Sequence, residues 1–117
     1  MINGDDFRGL LHGELRHVDG RAVYALSGDV DVVTSPALVA RVREIADGTM
    51  RFDLDLAEVA FMDSTGLRSL FQLHDITTAH GGRLRLLHPS ERVMRLLEMT
   101  DTADQFEIVP RDARLAS

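Results

Sequence analysis

The sequence predicts an α/β domain, a mixed sheet of about five strands with helices mainly on one face. Three observations carry that expectation. A hairpin signal opens the chain, and helical and strand-like patterns then alternate to its end, the order that produces parallel neighbours. Strand positions that point away from the apolar side carry charge, Asp53 and Asp55 in one strand and Arg83 and Arg85 in another. A face lined that way faces water, which leaves the helices to cover the other.

Taken in order, Met1 to Gly9 is polar and glycine-containing and reads as a loosely held end. Leu10–Val18 and Arg21–Ser27 flank Asp19-Gly20, a short hairpin signal. In the second of these strands Ala22, Tyr24 and Leu26 share a face. After Gly28-Asp29-Val30-Asp31, Ser35 as N-cap with Pro36 in the first turn opens a helix. Its apolar stripe is Leu38, Val39, Val42, Ile45 and Ala46, and Asp47-Gly48 ends it. Phe52, Leu54 and Leu56 alternate with Asp53 and Asp55, a strand with one buried face. A connection, Ala57 to Met62, leads to Asp63-Ser64-Thr65-Gly66. Leu67, Leu70, Phe71 and His74 then recur at helical spacing, and Gly81-Gly82 stops that helix. Leu84 and Leu86 alternate with Arg83 and Arg85. Beside the 51–56 strand, these arginines would face the aspartates on the solvent side and add about 0.2–1 kcal/mol per pair. Ser90 caps a third helix with Val93, Met94, Leu96 and Leu97 on its apolar face. A last strand, Phe106 to Val109, precedes Pro110 and a frayed charged tail.

At 117 residues there is room for one domain with a real core, residues 1–117 with the core at about 10–109. Hydrophobic residues at 44% and charged residues at 27% are ordinary for a globular protein. No apolar run approaches the roughly 20 residues of a membrane span, and the N-terminus lacks a signal pattern, so a cytoplasmic protein is expected. No cysteine is present, which excludes disulfides and thiolate metal sites. A net charge of -6 disfavours direct nucleic-acid binding, which rests on basic faces.

Ser64 lies where a strand hands over to a helix. The first turn of a helix leaves N–H groups without partners and is partly positive, so an anion on Ser64 Oγ would be well placed. Asp63 and Ser64 are equally preferred N-caps, and position alone does not make the serine functional. A nucleophile elbow needs Gly-x-Ser-x-Gly; Met62 stands where the first glycine is required, and nothing supplies an oriented His–Asp pair. Asp29, Asp31 and Asp63 sit at strand exits and read as an acidic loop surface rather than a metal site. Glycine loops for nucleotide phosphates are absent.

The run Val59 to Leu67, VAFMDSTGL, resembles the signature of STAS domains, especially the bacterial anti-anti-sigma factors. Ser27-Gly28-Asp29-Val30-Asp31, Leu54-Asp55-Leu56 and Gly81-Gly82-Arg83-Leu84 resemble further family motifs in the same order, so the likeness spans roughly Leu10 to Val109. The resemblance implies a STAS-type domain that is a kinase substrate and binding module, with no enzymatic activity and no cofactor or metal of its own. Ser64 would be phosphorylated by a partner anti-sigma factor that is a serine/threonine kinase. Unphosphorylated protein would bind that partner and free the sigma factor, phosphorylation would end binding, and a phosphatase acting on phospho-Ser64 would restore it. The implied contact residues are Gly28, Asp29, Asp31, Met62, Asp63, Thr65, Gly66 and Arg68, with Thr65 a possible second acceptor. Asp29 stands where the family usually has glutamate, and Asp53 where it has an apolar residue. The rival implied role is a STAS scaffold, stressosome-like or accessory to a lipid-transport complex, that does not depend on Ser64 phosphate.

Overall fold

The computed structural model describes residues 3–46 and 51–111. The elements are β1 (Asn3–Phe7), β2 (Leu11–Val18), β3 (Arg21–Val30), α1 (Ser35–Ile45), β4 (Arg51–Met62), α2 (Ser64–Ala79), β5 (Arg83–Leu87), α3 (Glu91–Met99), a single 3-10 turn (Ala103–Gln105) and β6 (Glu107–Val109). They form one six-stranded mixed sheet whose spatial order is the chain order, β1-β2-β3-β4-β5-β6. The first two pairings are antiparallel and the last three parallel.

The strand beyond the expected five is β1. The segment read as a loose end pairs with β2 from Asn3↔Leu15 to Phe7↔Leu11. Its anchor is Asp5, whose carboxylate accepts from the Tyr24 hydroxyl at 2.7 Å and from Arg41 Nε at 3.0 Å, tying β1 to β3 and α1. Burial and the Asp5 carboxylate beside it push the Tyr24 hydroxyl well above the usual phenol range. Two polar contacts thus replace the apolar periodicity that sequence reading relies on. The Asp19-Gly20 turn is as expected, both residues having positive φ between β2 and β3.

Tyr24, Leu26, Phe52, Leu54, Leu56 and Leu86 form the sheet side of the core, against Leu38 and Val42 of α1, Leu70 and Leu73 of α2, and Val93 and Leu97 of α3. All are essentially inaccessible, and burying one such side chain is worth about 1.5–3 kcal/mol. Thr34, not Ser35, occupies the N-cap position of α1, so Ser35 begins the helix and Pro36 follows it within the first turn. The expected stop at Asp47-Gly48 lies outside the described residues.

The strand read as 51–56 continues to Met62. Its register against β3 slips twice, between Ala25↔Asp55 and Ser27↔Glu58 and between Gly28↔Val59 and Asp29↔Phe61. Each slip places one extra residue on β4, and each extra residue flips the faces that follow. The period-two pattern therefore dissolves after Leu56 although the strand does not. The start of α3 stitches down this irregular stretch: Ser90 N donates to the Leu56 carbonyl at 3.1 Å, and Ser90 Oγ to the Val59 carbonyl at 2.8 Å.

Asp53 corrects a second expectation. It lies on the helix-free face, yet is 1% exposed. Arg85, its register partner, covers it with two hydrogen bonds, Nε to Oδ1 at 2.9 Å and Nη2 to Oδ2 at 2.8 Å. Arg21 adds an ion pair at 3.7 Å. The guanidinium groups stand in for a missing helix layer, and the pair is a buried bidentate bridge rather than a weak solvent-side one.

Candidate functional site

The parallel pairing of β3 with β4 ends at Val30↔Met62. Both strands therefore release their chains at the same end of the sheet, the β3–α1 loop carrying Asp31 and the β4–α2 junction carrying Ser64. Asp29, opposite Phe61, lies one step inside.

Asp63 is the N-cap of α2. Its backbone is extended (φ -112°, ψ -169°), and its Oδ1 accepts from Gly66 N at 3.0 Å. That bond satisfies one of the unpaired donors of the first turn. Ser64 is consequently the first helical residue rather than the cap, and its side chain is exposed. The cap and the exposed serine are thus separate residues, with an acidic side chain at the helix start.

Two glycines fit the corner together. Gly66 is buried, and a Cβ there would drive into the Val30 carbonyl and the Met62 side chain. Gly28 has φ +117°, and a Cβ there would meet the Leu10 carbonyl. That carbonyl accepts from Asp29 N at 3.0 Å, so the turn between β1 and β2 joins the same corner.

The remaining expected contact residues divide. Thr65 is half-buried and Arg68, one turn along α2, is exposed with no ion pair among the described residues. Met62 is 4% exposed and belongs to the core, and Gly66 offers no surface. Both are buried and shape the corner from beneath. Asp29 is half-buried, its carboxylate without a hydrogen bond among the described residues. Asp31 is occupied: its Oδ1 accepts from Val33 N at 3.0 Å and Thr34 N at 3.2 Å. Thr34 Oγ1 in turn donates to the Asp29 carbonyl at 2.8 Å and accepts from Asp31 N. This is an Asx-type turn that leads into α1.

The two aspartates are therefore expected to behave differently. Asp31→Ala should cost about 1 kcal/mol, the usual worth of such a turn or cap. Asp29→Ala should stay within about 0.5 kcal/mol. Urea unfolding of both variants checks this, and equal losses would contradict the division of roles.

Sequence reading missed the apolar part of this end. Val32 is 67% exposed, Val33 45%, Leu10 43% and Phe61 37%. Arg92, from the first turn of α3, lies over the Phe61 ring at 5.5 Å from its centroid, a cation–π contact that fixes the ring at the surface. Val32-Val33 directly after a strand end was the available signal, since paired valines in a loop have no core to fill. Exposed apolar groups on segments that also carry Asp29, Asp63, Arg68 and Arg92 suit a protein partner.

His74 meets Phe106 edge-on at 6.2 Å between ring centroids, and no hydrogen bond or ion pair among the described residues joins it to Ser64. No group of three His, Asp or Glu residues among the described residues is arranged to hold a metal ion. No helix among them is long and apolar enough to cross a membrane.

Comparison with known proteins places this geometry. The family profile described as "STAS domain" matches residues 13–113. The chain is 31% identical to the anti-sigma-B factor antagonist of Bacillus subtilis (strain 168) over 83 residues, 71% of this chain and 76% of that one. An anti-sigma factor antagonist from Mycobacterium paratuberculosis has the same fold, with a TM-score of 0.76 at 24% identity, covering 93% of this chain and 95% of that one. The Bacillus cell fate determinant SpoIIAA, solved in its phosphorylated form, gives a TM-score of 0.63 at 19% identity over 89% of this chain and 96% of that one. The profile match runs from β2 through β6 and takes in the Ser64 corner, so this chain belongs to the STAS domain family.

Proposed function

We propose that this STAS domain is an anti-sigma factor antagonist whose Ser64 end is a reversible docking site. Unphosphorylated, it binds an anti-sigma factor that is a serine/threonine kinase and so frees the sigma factor. Transfer of phosphate to Ser64 Oγ ends that binding, and a phosphatase restores it. The observation that carries the reading is the separation of cap from hydroxyl: Asp63 satisfies the helix start, leaving the Ser64 side chain exposed at the end of the sheet where β3 and β4 release their chains. The name of the Bacillus relative and the phosphorylated form of SpoIIAA support it.

On this reading Ser64 is the acceptor. Asp29, Thr65 and Arg68 contribute polar contacts, and Val32, Val33 and Phe61 apolar ones. Gly28, Gly66, Met62, Asp63 and Asp31 hold the backbone that presents them. The kinase supplies nucleotide and metal, so the domain needs no cofactor of its own. The setting is the cytoplasm, where a sigma factor works.

The test is intact-mass analysis after incubation with the partner kinase and ATP. Wild type should gain one phosphate and Ser64→Ala none, with both retaining the same far-UV spectrum. Equal phosphate on the two would sink the assignment, and a phosphate that moves to Thr65→Ala-sensitive material would transfer the role to Thr65. Partner binding without any modification would favour the scaffold role instead.

A further inference from the structure

At the far end of β4 from Ser64, on the order of 30 Å along the strand, four arginines enclose a cavity of about 100 Å³. Arg21, Arg51, Arg83 and Arg85 line it, with Glu107 as the one acidic residue among the described residues that line it. The register builds this cluster. Arg51 and Arg83 are direct partners across β4 and β5, and Arg21 immediately precedes the Ala22↔Phe52 pair of β3 and β4. Three guanidinium stems therefore leave adjacent strands in one row, about 4.8 Å apart. Arg85 follows two residues later on the same face.

Like charges set side by side on a sheet are destabilising, and the counter-charges present do not balance these. Asp53 holds Arg85 and, at 3.7 Å, Arg21; Glu107 holds Arg83. Arg51 makes no ion pair among the described residues. Among the described residues, four guanidinium groups share two carboxylates, a surplus of two positive charges in a chain whose formal net charge is -6. Nothing in the packing requires an arginine at position 51, where the side chain is exposed.

We propose that this cavity is an oxyanion-binding site that takes the phosphate group of a small phosphorylated molecule. Guanidinium forks match phosphate oxygens two at a time. Donors arriving from three strands suit a tetrahedral acceptor better than a planar carboxylate. A phosphate monoester carries about -1.5 to -2 charges at neutral pH, which matches the surplus. The volume admits one such group, and the exposed heads of Arg51 and Arg83 leave the outer side open for the rest of the ligand. A nucleic acid is a poor fit, because the basic surface is one pocket rather than a track. The proposal is independent of the Ser64 reading, since it concerns the opposite end of the molecule.

The experiment follows the arginine Nε–Hε resonances of the full chain during titration with inorganic phosphate and with pyrophosphate at constant ionic strength. Saturable shifts confined to Arg21, Arg51, Arg83 and Arg85 are expected at millimolar ligand or below. Arg51→Gln breaks no ion pair and should melt as wild type does in phosphate-free buffer, while its phosphate affinity falls about tenfold. Arg83→Gln, the second variant, should weaken binding similarly. Unsaturable shifts shared by Arg8, Arg68 and Arg95 would be simple screening and would overturn the site, as would undiminished binding by both variants. A phosphoserine peptide that binds more tightly than pyrophosphate would overturn the small-molecule assignment.

Discussion

Protein carrying phosphate on Ser64 is expected to bind its anti-sigma partner about a hundredfold more weakly than unmodified protein, with its fold unchanged. Within the free domain the added group meets opposing effects. It brings about -1.5 to -2 charges, and each carboxylate that stood about 6 Å from it in near-aqueous surroundings would oppose it by roughly 1 kcal/mol. The start of α2 returns about 0.3–2 kcal/mol, and Arg68 one turn along adds a weak attraction. The sum is near zero, and the corner that holds Ser64 is built from Asp63, Gly66 and Gly28, none of which the phosphate displaces. At a docked interface the balance changes. The dianion must shed water beside Val32, Val33 and Phe61, against a surface shaped for a neutral hydroxyl. A loss of about 3 kcal/mol there is the hundredfold. Titration of the partner with both forms, with amide exchange on each form alone, reads both halves of the expectation. Undiminished affinity would refute the switch, and broad exchange changes across β3 to β5 would refute its being local.

The largest loss of stability is expected from Asp53→Ala. Its side chain is 2% exposed and makes a bidentate bridge to Arg85. Truncating one partner of a buried pair costs about 3–5 kcal/mol, because the other charge is left without compensation. Arg85 retains some access to water, at 23%, so the low end applies, about 3 kcal/mol. For a domain of this size that corresponds to a fall of roughly 10 °C in melting temperature. The double variant Asp53→Ala, Arg85→Ala should recover part of the loss, since the only charge then left without its carboxylate is Arg21, which sat 3.7 Å from Asp53 and is 28% exposed. Urea midpoints at constant slope measure it, and a loss below about 1 kcal/mol would mean that water replaces the bridge without penalty.

What could be read in the sequence follows from which signals are local. The hairpin, three helices and the 51–56 and 83–87 strands declare themselves through spacing, and Ser64 through its place between two of them. The end of β4 could not be read, because two extra residues invert its pattern midway. Strand β1 was hidden because Asp5 holds it through Tyr24 and Arg41, residues distant in sequence. Asp53 looked solvent-facing because alternation tells which side a residue takes, not what lies above it. At the Ser64 corner, alternation and motif located the exposed serine at the helix start but could not separate Asp29 from Asp31. Only the loop's hydrogen bonds show that one is spent on the backbone. The exposed valines escaped because two apolar residues in a loop leave no period in the chain.

The glycine corner also sets how such a protein can diverge. Gly28 and Gly66 each meet a carbonyl where a Cβ would go, so the backbone of this end can neither swell nor shift. Leu10, Val32, Val33 and Phe61 stand on that rigid frame with their tips in solvent. Duplicate copies in one genome could therefore acquire separate partners by exchanging four side chains while keeping the corner intact. Insulation between parallel signalling pairs would then be written in those exposed apolar positions, and the serine itself would carry none of it.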